Sequence, residues 1–403
     1  SGSGVPLIGY VAESEHDEAE YISAEIRKLR DEGVSNYGQT AIFYRTNAQS
    51  RVFEEVFMRA GLPYKVVGGV RFYERREVKD LLAYLKVLAN NEDEVSLRRI
   101  INVPKRGIGD RSIEEVEILA NRRGISFWTA LNAILETEDL PARAKAAMKE
   151  FVELIQALNV LVEAGTKPSV IVEAVLEQSG LLSELEKSDD LQDEGRVENL
   201  QELVSVAVEF EEGEVEEGEL ISLQSFLEDV SLVADSDQIP EGEDHGGVVT
   251  LMTLHTAKGL EFPYVYMIGL EEELLPHKNS IASETIEEER RLMYVGITRA
   301  QQGLTLTLAE QRKNGGQMKQ MTPSRFLDEL PQDELDWLGR KKKLAEKRNQ
   351  FNSNPIPIEI LPDVKNLVSN YVEEATLRGK VIFDEVIDKI HKELEEVFPN
   401  ITK

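Results

Sequence analysis

The sequence contains no cysteine and few histidines, and each shortage excludes a class of site. Without cysteine, the 403-residue chain has neither disulfides nor thiolate metal ligands, which is compatible with a reducing cytoplasm, where we expect the protein to reside. The five histidines, at positions 16, 245, 255, 277 and 391, show no metal-ligand spacing, so we expect no metal site. No apolar run is long enough to cross a bilayer, and we expect no membrane partner.

Positive charge is also scarce. The chain carries 46 basic and 75 acidic residues, a net charge of −29. Bulk electrostatic attraction therefore does not bring it to nucleic acid, and any such contact must be local. Basic residues do cluster, at 71–79, 98–111 and 340–348. The composition permits either an enzyme or a binding protein.

The order of predicted elements indicates an α/β fold with a long helical interruption. Residues 5–71 and 246–337 alternate apolar strands with amphipathic helices, the pattern of a parallel sheet with covering helices. Residues 72–245 are almost entirely helical, which predicts a large all-helical insertion. Outside this domain we expect a linker at 1–4, a basic and proline-rich linker at 338–362, and a helical C-terminal tail, a hairpin at 363–403.

One polar connection, between strands predicted at 248–254 and 264–269, carries most of the reactive side chains. It contains His255, Lys258, Gly259 and Glu261. Ligands of open α/β sheets bind beside strand ends, so this connection is a candidate binding site. By itself, His255 fits equally well as a satisfied interior histidine, and Lys258 has no role that we can assign.

Two further stretches allow a functional and a structural interpretation. Residues 287–300, EEERRLMYVGITRA, offer three arginines, which suit charge developing on a phosphoryl group, yet they also fit an ordinary charged amphipathic helix. In residues 44–51, YRTNAQSR, Asn47 either caps a helix or joins Arg45 and the backbone amides in holding a phosphate at the helix start.

A glycine-containing turn gives a third basic stretch. Lys105 and Arg106 precede Gly107 and Gly109 between two predicted helices. Such a turn exposes backbone amides, and the neighbouring cations complete a grip on phosphate that does not depend on base sequence. The structural alternative is a tight interhelical turn with solvated charges.

Together these stretches resemble the UvrD/PcrA/Rep family of superfamily 1 DNA helicases. The segments YRTNAQSR, VGGVRFYERREVKD, NVPKRGIGDR, TLMTLHTAKGLEFP and EEERRLMYVGITRA occur in family order at family-like distances. The resemblance covers about residues 5–337. It implies that 5–71 and 246–337 form the second RecA-like motor domain, and that 72–245 form its inserted helical subdomain, which contacts duplex DNA.

The resemblance also implies two sets of site residues. For ATP, it assigns Arg299 as the catalytic arginine finger at the γ-phosphate and Glu261 as the contact to the ribose. For DNA, it implies contacts of His255, Asn47, His277 and Arg45 with the single strand, and of Lys105, Arg106, Gly107 and Gly109 with the duplex backbone ahead of the fork.

Some family features are missing from the sequence. It has no phosphate-cradling G-x-x-x-x-G-K-[ST] motif and no counterpart of the acidic Mg²⁺-binding pair, as if the first motor domain had been removed. Gly315 stands where the family usually has an aromatic residue that stacks on a base, and glycine cannot stack.

We therefore predict the C-terminal motor half of an ATP-dependent 3′-to-5′ DNA helicase, inactive by itself. It would act on single-stranded DNA and on single/double-strand junctions, and share ATP with a complementary first motor domain that binds most of the Mg²⁺. The alternative is a non-catalytic, helicase-derived DNA- or protein-binding module whose tail at 363–403 docks a partner protein.

Overall fold

The computed structural model describes residues 7–188, 190–213, 221–235, 246–332 and 334–339. The chain divides into two compact units, residues 1–340 and 341–403, and every described residue belongs to the first. The predicted linker at 1–4, most of the linker at 338–362 and the helical hairpin at 363–403 lie outside the described residues. No helix in the described part has both the length and the apolar character needed to cross a membrane.

Seven parallel strands form the central sheet, in the order β3-β4-β2-β5-β6-β1-β9. The strands β7 and β8 form a separate antiparallel hairpin. The α/β fold predicted from the sequence, a RecA-like parallel sheet domain with a helical insertion, is confirmed. In chain order the strands are β1 (Leu7–Ala12), β2 (Thr40–Tyr44), β3 (Tyr64–Val67), β4 (Val249–Thr253), β5 (Phe262–Met267), β6 (Ala300–Ala309), β7 (Gln311–Asn314), β8 (Gln317–Gln320) and β9 (Leu335–Gly339).

Helices cover the sheet and fill the interval between β3 and β4. One helix follows β1, one follows β2, and two lie between β5 and β6. Nine helices lie in the described part of the interval between β3 and β4. The bounds of a motor domain and an inserted subdomain stay a prediction. The helices are α1 (Glu15–Asp31), α2 (Ser50–Arg59), α3 (Arg76–Ala89), α4 (Glu94–Ile100), α5 (Asp110–Arg123), α6 (Phe127–Ile134), α7 (Ala142–Glu163), α8 (Pro168–Ser179), α9 (Leu181–Glu186), α10 (Leu191–Glu212), α11 (Leu223–Asp235), α12 (Lys278–Ala282) and α13 (Ile286–Ile297).

The sheet is buried on both faces, as β2 shows. All five residues of β2 are buried, and successive side chains of a strand point to opposite faces. Ile42 and Tyr44 belong to one core, together with apolar residues of α1 and α2. Ala41 and Phe43 belong to the other, together with α13 and the connection between β4 and β5. A continuous apolar run such as TAIFY is typical of a strand covered on both sides.

The helical part has its own apolar core, and α10 joins it to the sheet part. One side of α10 contributes Leu200, Leu203 and Ala207 to that core, against α3 and α8. Another side carries an acidic row, defined as Glu198, Glu202, Glu209 and Glu212. The acidic row pairs with basic side chains of the sheet part: Glu198 with His277, Glu202 and Glu209 with Arg51, and Glu212 with Lys313.

Helix α13 packs closely on the sheet because Gly296 has no side chain. A Cβ atom at this position would lie 2.6 Å from Met267 Cε and 2.7 Å from Leu254 Cδ2, closer than carbon atoms approach in close-packed interiors. Any larger residue would hold the helix farther from β5. The helix ends at Ile297, two residues before Arg299.

Several elements differ from the sequence prediction. The helix predicted to start at Asn47 begins instead as a 3₁₀ turn, Asn47–Gln49, and becomes α-helical only at Ser50. The hairpin β7–β8, the helix α9 and the strand β9 were not predicted. β9 also extends the sheet past residue 337, the predicted end of the motor domain, because it pairs with β1 from Leu335 to Gly339.

Candidate functional site

The connection between β4 and β5 crosses one face of the sheet. Strand β4 ends at Thr253, which pairs with Tyr44 at the carboxyl-terminal end of β2, whereas β5 begins at Phe262 on the opposite edge. Within the connection, Leu254 and Ala257 are buried against the sheet. His255 therefore lies at the carboxyl-terminal edge and Glu261 at the amino-terminal edge. The connection therefore presents its two candidate residues at opposite edges of the sheet rather than at one.

At the amino-terminal edge, Arg299 is held by uncharged acceptors. Its Nε donates to the carbonyl of Val295 at 3.2 Å and its Nη1 to the carbonyl of Leu260 at 3.4 Å. Its Nη2 donates to Thr298 Oγ1 at 3.1 Å. Among the described residues no carboxylate pairs with Arg299. A half-buried guanidinium without a counter-charge is suited to bind an anion such as a phosphoryl group.

Glu261 lies beside Arg299, on the same short path into β5. Its carboxylate is exposed and accepts a hydrogen bond from Gln301 Nε2 at 3.1 Å. The backbone holds the two residues together, since Phe262 N donates to Arg299 O at 3.0 Å. Leu260 is also exposed at this edge. At this edge the Glu261 carboxylate can accept hydrogen bonds from hydroxyl groups, and the nearby Arg299 guanidinium can bind a phosphate. Nearby Lys258 is exposed and makes no ion pair within the described part.

At the carboxyl-terminal edge, Arg45 is already occupied. Its Nε and Nη2 bind the buried carboxylate of Glu289 at 2.9 and 2.8 Å. That carboxylate also accepts from Ser280 Oγ and from the backbone N–H of His277. Burial raises the pKa of Glu289, but these donors, Arg45 first, lower it more, so its pKa lies below the ordinary value. Arg45 here fastens α13 to the end of β2.

Asn47 and His255 are exposed at the same edge. Asn47 does not cap the helix as the structural interpretation predicted, since it is the first residue of the 3₁₀ turn and Thr46 precedes it as the cap. His255 is not an interior histidine either, and its ring makes no hydrogen bond among the described residues. Partial burial and Arg45 lower its pKa, although Glu289 and Glu288 oppose them. The ring is therefore uncharged at neutral pH and can donate and accept one hydrogen bond each.

His277 is buried, with 6% of its surface exposed. Its Nε2 lies 2.9 Å from Glu198 Oε1 of the acidic row. Lys278 and Thr46 approach the same carboxylate. Burial raises the pKa of Glu198, but His277, Lys278 and Thr46 together lower it by more than burial raises it. The pKa therefore lies below the ordinary value, and the carboxylate is ionised. In this arrangement an internal carboxylate takes the position next to His277 that a DNA phosphate would need.

In the turn at 105–109, most of the predicted phosphate donors are already used. Asn102 Oδ1 accepts from the backbone amides of Arg106, Gly107 and Ile108 at 2.8, 3.1 and 3.3 Å. Gly107 has a φ of +80°, which lets the three amides converge on one acceptor. The expectation that the turn leaves these amides open is wrong, because the side chain of Asn102 fills the concavity.

Arg106 also points inward. Its Nη1 donates to the carbonyls of Ile100 and Val103 at 3.1 and 3.0 Å, and its Nη2 donates to Tyr84 Oη at 2.6 Å. Lys105, by contrast, is exposed. The backbone amides of Gly109 and Asp110, at the start of α5, have no acceptor in the described part of the protein. These groups stay available to a backbone phosphate.

Gly315 lies at the tip of the β7–β8 hairpin with a φ of +55°, and nothing lies within 4 Å of its Cβ direction. Its neighbour Gly316 donates its N–H to Ser205 Oγ of α10 at 3.1 Å. The hairpin tip is therefore fixed to the helical part, and no aromatic ring is present at residue 315 to stack on a base.

Three residues that the sequence reasoning missed organise these sites: Glu198, Glu289 and Asn102. Glu198 belonged to a stretch noted only for its acidity. Glu289 is the third of three consecutive glutamates, and nothing local distinguishes it from the other two. Asn102 comes three residues before Lys105, and an asparagine preceding a glycine turn is a usable signal for a side chain that caps backbone amides.

Comparisons with known proteins identify the family of the chain. The family described as UvrD-like helicase C-terminal domain matches residues 1–311. The ATP-dependent DNA helicase UvrD1 of Mycobacterium bovis is 49% identical over 351 residues, which are 84% of this chain and 45% of the relative. The ATP-dependent DNA helicase PcrA of Staphylococcus epidermidis (strain ATCC 12228) is 46% identical over 345 residues, which are 85% and 46%. The chain thus spans a little under half the length of the curated relatives it matches.

Proposed function

The chain belongs to the UvrD-like helicase C-terminal domain family, as its motifs predicted, and from this premise we propose that it is the C-terminal motor half of an ATP-dependent 3′-to-5′ DNA helicase. The observation that carries the proposal is Arg299, a guanidinium at a sheet edge with no carboxylate partner among the described residues. Twelve other described arginines pair with carboxylates.

At the amino-terminal edge we assign the nucleotide. Arg299 stabilises negative charge that develops on the γ-phosphate, and Glu261 accepts hydrogen bonds from the ribose hydroxyls. The phosphate cradle must come from a complementary first motor domain. In nucleotide sites Mg²⁺ is usually bound by one or two protein carboxylates and by phosphate oxygens. On this edge the carboxylate near Arg299 is Glu261, which we assign to the ribose. The ion would therefore be held mainly by the other half.

At the carboxyl-terminal edge we assign single-stranded DNA. Asn47 and His255 are exposed there and require no rearrangement. Nε and Nη2 of Arg45 and Nε2 of His277 contact DNA only if Glu289 and Glu198 release them, because these nitrogens are now bound to those carboxylates. A local track of this kind is compatible with the net charge of −29, since exposed charges more than about 8 Å away are largely screened at physiological salt.

For duplex DNA we assign the turn at 105–109. Lys105 and the amides of Gly109 and Asp110 supply the phosphate contacts. Arg106 and Gly107 serve by holding the shape of the turn, since their donors are used internally. A partner for residues 363–403 stays a separate prediction, because that segment lies outside the described residues.

The test is a reconstitution of ATPase activity. The purified chain alone should not hydrolyse ATP with or without single-stranded DNA, whereas addition of a complementary first motor domain should restore DNA-stimulated hydrolysis. Arg299→Ala should then lower the restored rate by roughly 10³-fold or more, the value of an arginine finger. The matched control is Arg291→Ala, an exposed arginine of α13 paired with Glu288, which should leave the rate within about twofold.

Two outcomes would contradict the proposal. One is DNA-stimulated hydrolysis by the chain alone, and the other is a restored rate that Arg299→Ala leaves unchanged. Failure to restore any ATPase, combined with a stable complex between residues 363–403 and a protein partner, would support the alternative of a non-catalytic docking module.

A further inference from the structure

Two residues at the start of α1 and one on α10 bring three possible metal ligands together. Glu15, His16 and Glu209 each offer one ligand atom, and these atoms all lie within 4.8 Å of one another. His16 Nε2 lies 3.7 Å from Glu209 Oε2, which is too long for a hydrogen bond. In the described part of the protein, the His16 ring has no hydrogen-bond partner at all.

Glu15 independently indicates a missing ligand. Its side chain is buried, with 8% of the residue surface exposed. Its Oε1 accepts the backbone N–H of Lys313 at 3.0 Å. Its Oε2 is buried without a hydrogen-bond partner. A carboxylate oxygen withdrawn from water without a donor costs several kcal/mol unless a cation or a proton neutralises it.

The surroundings carry more carboxylates than cations. Arg51 alone is bound by three of them, at 3.0 Å for Glu55, 2.6 Å for Glu202 and 3.1 Å for Glu209. Glu15 is a fourth carboxylate in these surroundings and makes no ion pair with Arg51 in the described part of the protein. Nearby cationic side chains are already taken, since Lys313 pairs with Glu212 and Arg312 pairs with Glu18 and Glu271. A positive charge at this position is therefore electrostatically favoured.

We propose that Glu15, His16 and Glu209 bind a divalent transition-metal cation of the zinc class. One imidazole and two carboxylates suit such an ion, and three protein ligands leave one position for water. Bonds of about 2.0–2.2 Å require donors on one ion to be no more than about 4 Å apart, so small side-chain rotations complete the site. Glu209 keeps its bonds to Arg51, because a carboxylate offers about four lone-pair sites.

The site is reachable from solvent. His16 and Glu209 line an open groove of about 560 Å³. Glu15 lines a second, smaller cavity of about 110 Å³. The groove gives an ion from solvent access to two of the three proposed ligands. It would also cross-link α1 of the sheet part with α10 of the helical part. The sequence expectation of no metal site missed this arrangement because Glu209 is far from His16 along the chain.

The experiment is isothermal titration of the EDTA-treated full chain with Zn²⁺. The native chain should bind one equivalent with micromolar or tighter affinity, and that equivalent should raise the thermal unfolding midpoint. His16→Gln and, separately, Glu15→Gln should weaken binding at least about tenfold and abolish the midpoint shift. Glu20→Gln, an exposed carboxylate on the same helix, is the matched control and should bind like the native chain.

The variants must be shown to fold. With EDTA present, His16→Gln should unfold at the native midpoint, since the ring makes no hydrogen bond that the substitution removes. Absence of a micromolar equivalent in the native chain would overturn the proposal and indicate that a proton neutralises the carboxylate excess. An equivalent that binds equally well to His16→Gln would also overturn it, because the ion would then lie elsewhere on this acidic protein.

Discussion

The two edges of the central sheet treat their charged residues in opposite ways. At the carboxyl-terminal edge, side-chain donors are matched with carboxylates from distant parts of the chain, as in Arg45 with Glu289 and His277 with Glu198. At the amino-terminal edge, Arg299 has only carbonyl and hydroxyl acceptors among the described residues. Both edges carry residues that the resemblance proposes for a site, and they differ in the groups to which those residues are already bound.

The difference indicates two kinds of site. An edge whose charges are internally paired is stable by itself, and a ligand must displace a carboxylate there to reach the paired nitrogens of Arg45 and His277, whereas Asn47 and His255 are already exposed. An edge whose guanidinium lacks a counter-charge adds little to stability and gains most when an anion arrives. The free energy of unfolding that is lost when an arginine side chain is removed should therefore depend on the edge at which the arginine lies.

The largest expected effect is at Arg51, just behind the carboxyl-terminal edge. Burial by itself lowers the pKa of Arg51, but Glu55, Glu202 and Glu209 raise it well above the ordinary value, so it is always charged. Arg51→Ala would leave the buried carboxylate of Glu55 and the partly buried carboxylates of Glu202 and Glu209 without their cation, and should lower the free energy of unfolding by about 3–5 kcal/mol. Arg59→Ala, an exposed arginine on the same helix, should change it by about 0.5 kcal/mol or less. Urea unfolding with EDTA present measures both, and equal losses would contradict the contrast.

A smaller effect compares the edges directly. Arg45→Ala breaks a bidentate pair whose carboxylate is buried, and should lower the free energy of unfolding by about 2 kcal/mol. Arg299→Ala removes only hydrogen bonds to neutral acceptors at a partly exposed position, and should cost less than about 1 kcal/mol. The same urea titrations decide the point. If Arg299→Ala were the more destabilising of the two, the amino-terminal edge would be structural rather than poised for a ligand.

The smallest effect separates two glutamates four residues apart on α10. The pKa of Glu198 is lowered in the folded state, so its stabilisation is present above the unfolded value of about 4.3 and is lost as the pH falls through the folded value. Glu198→Gln should therefore be less stable than the native chain at pH 7, with a smaller difference at pH 3.

Glu202 should show the opposite trend. Its burial, together with Glu209 and Glu15, raises its pKa above the ordinary value although Arg51 lowers it. The stability it contributes is present below the unfolded value and is lost as the pH rises through the folded value. Relative to the native chain, Glu202→Gln should therefore gain stability as the pH increases. Parallel trends for the two variants in EDTA would show that the acidic row acts as one unit rather than as separate pairs.

Local sequence signals were sufficient for much of the fold. The strands predicted at 248–254 and 264–269 correspond to β4 and β5 with ends that differ by at most two residues, because apolar runs there end in polar or glycine residues. The strand β9, Leu335–Gly339, mixes apolar and polar residues, and only its pairing with β1 makes it a strand. The hairpin β7–β8 is largely polar and carries no apolar periodicity, so its single local signal was the Gly315–Gly316 pair.

The motifs indicated which residues to consider for a site, but not the residues to which they are bound in the fold. The resemblance assigned Arg299 and Glu261 to one nucleotide, and the structure brings both residues to the amino-terminal edge of the sheet. The motifs could not show that Arg45 pairs with Glu289 over 244 residues, or His277 with Glu198 over 79. Such pairings depend on the packing of α10 and α13, which no local pattern encodes. The same holds for Arg106, whose inward direction follows from the carbonyls and the tyrosine packed around it.

The missing side chain of Gly296 bears on reaction rate as well as on packing. Helix α13 lies where it does because no methyl group separates it from Met267 and Leu254, and Arg299 follows directly from its end. In positioned catalysis, a displacement of about 1 Å can cost roughly 10²-fold in rate. The position of the proposed arginine finger thus depends on the absence of a side chain at Gly296.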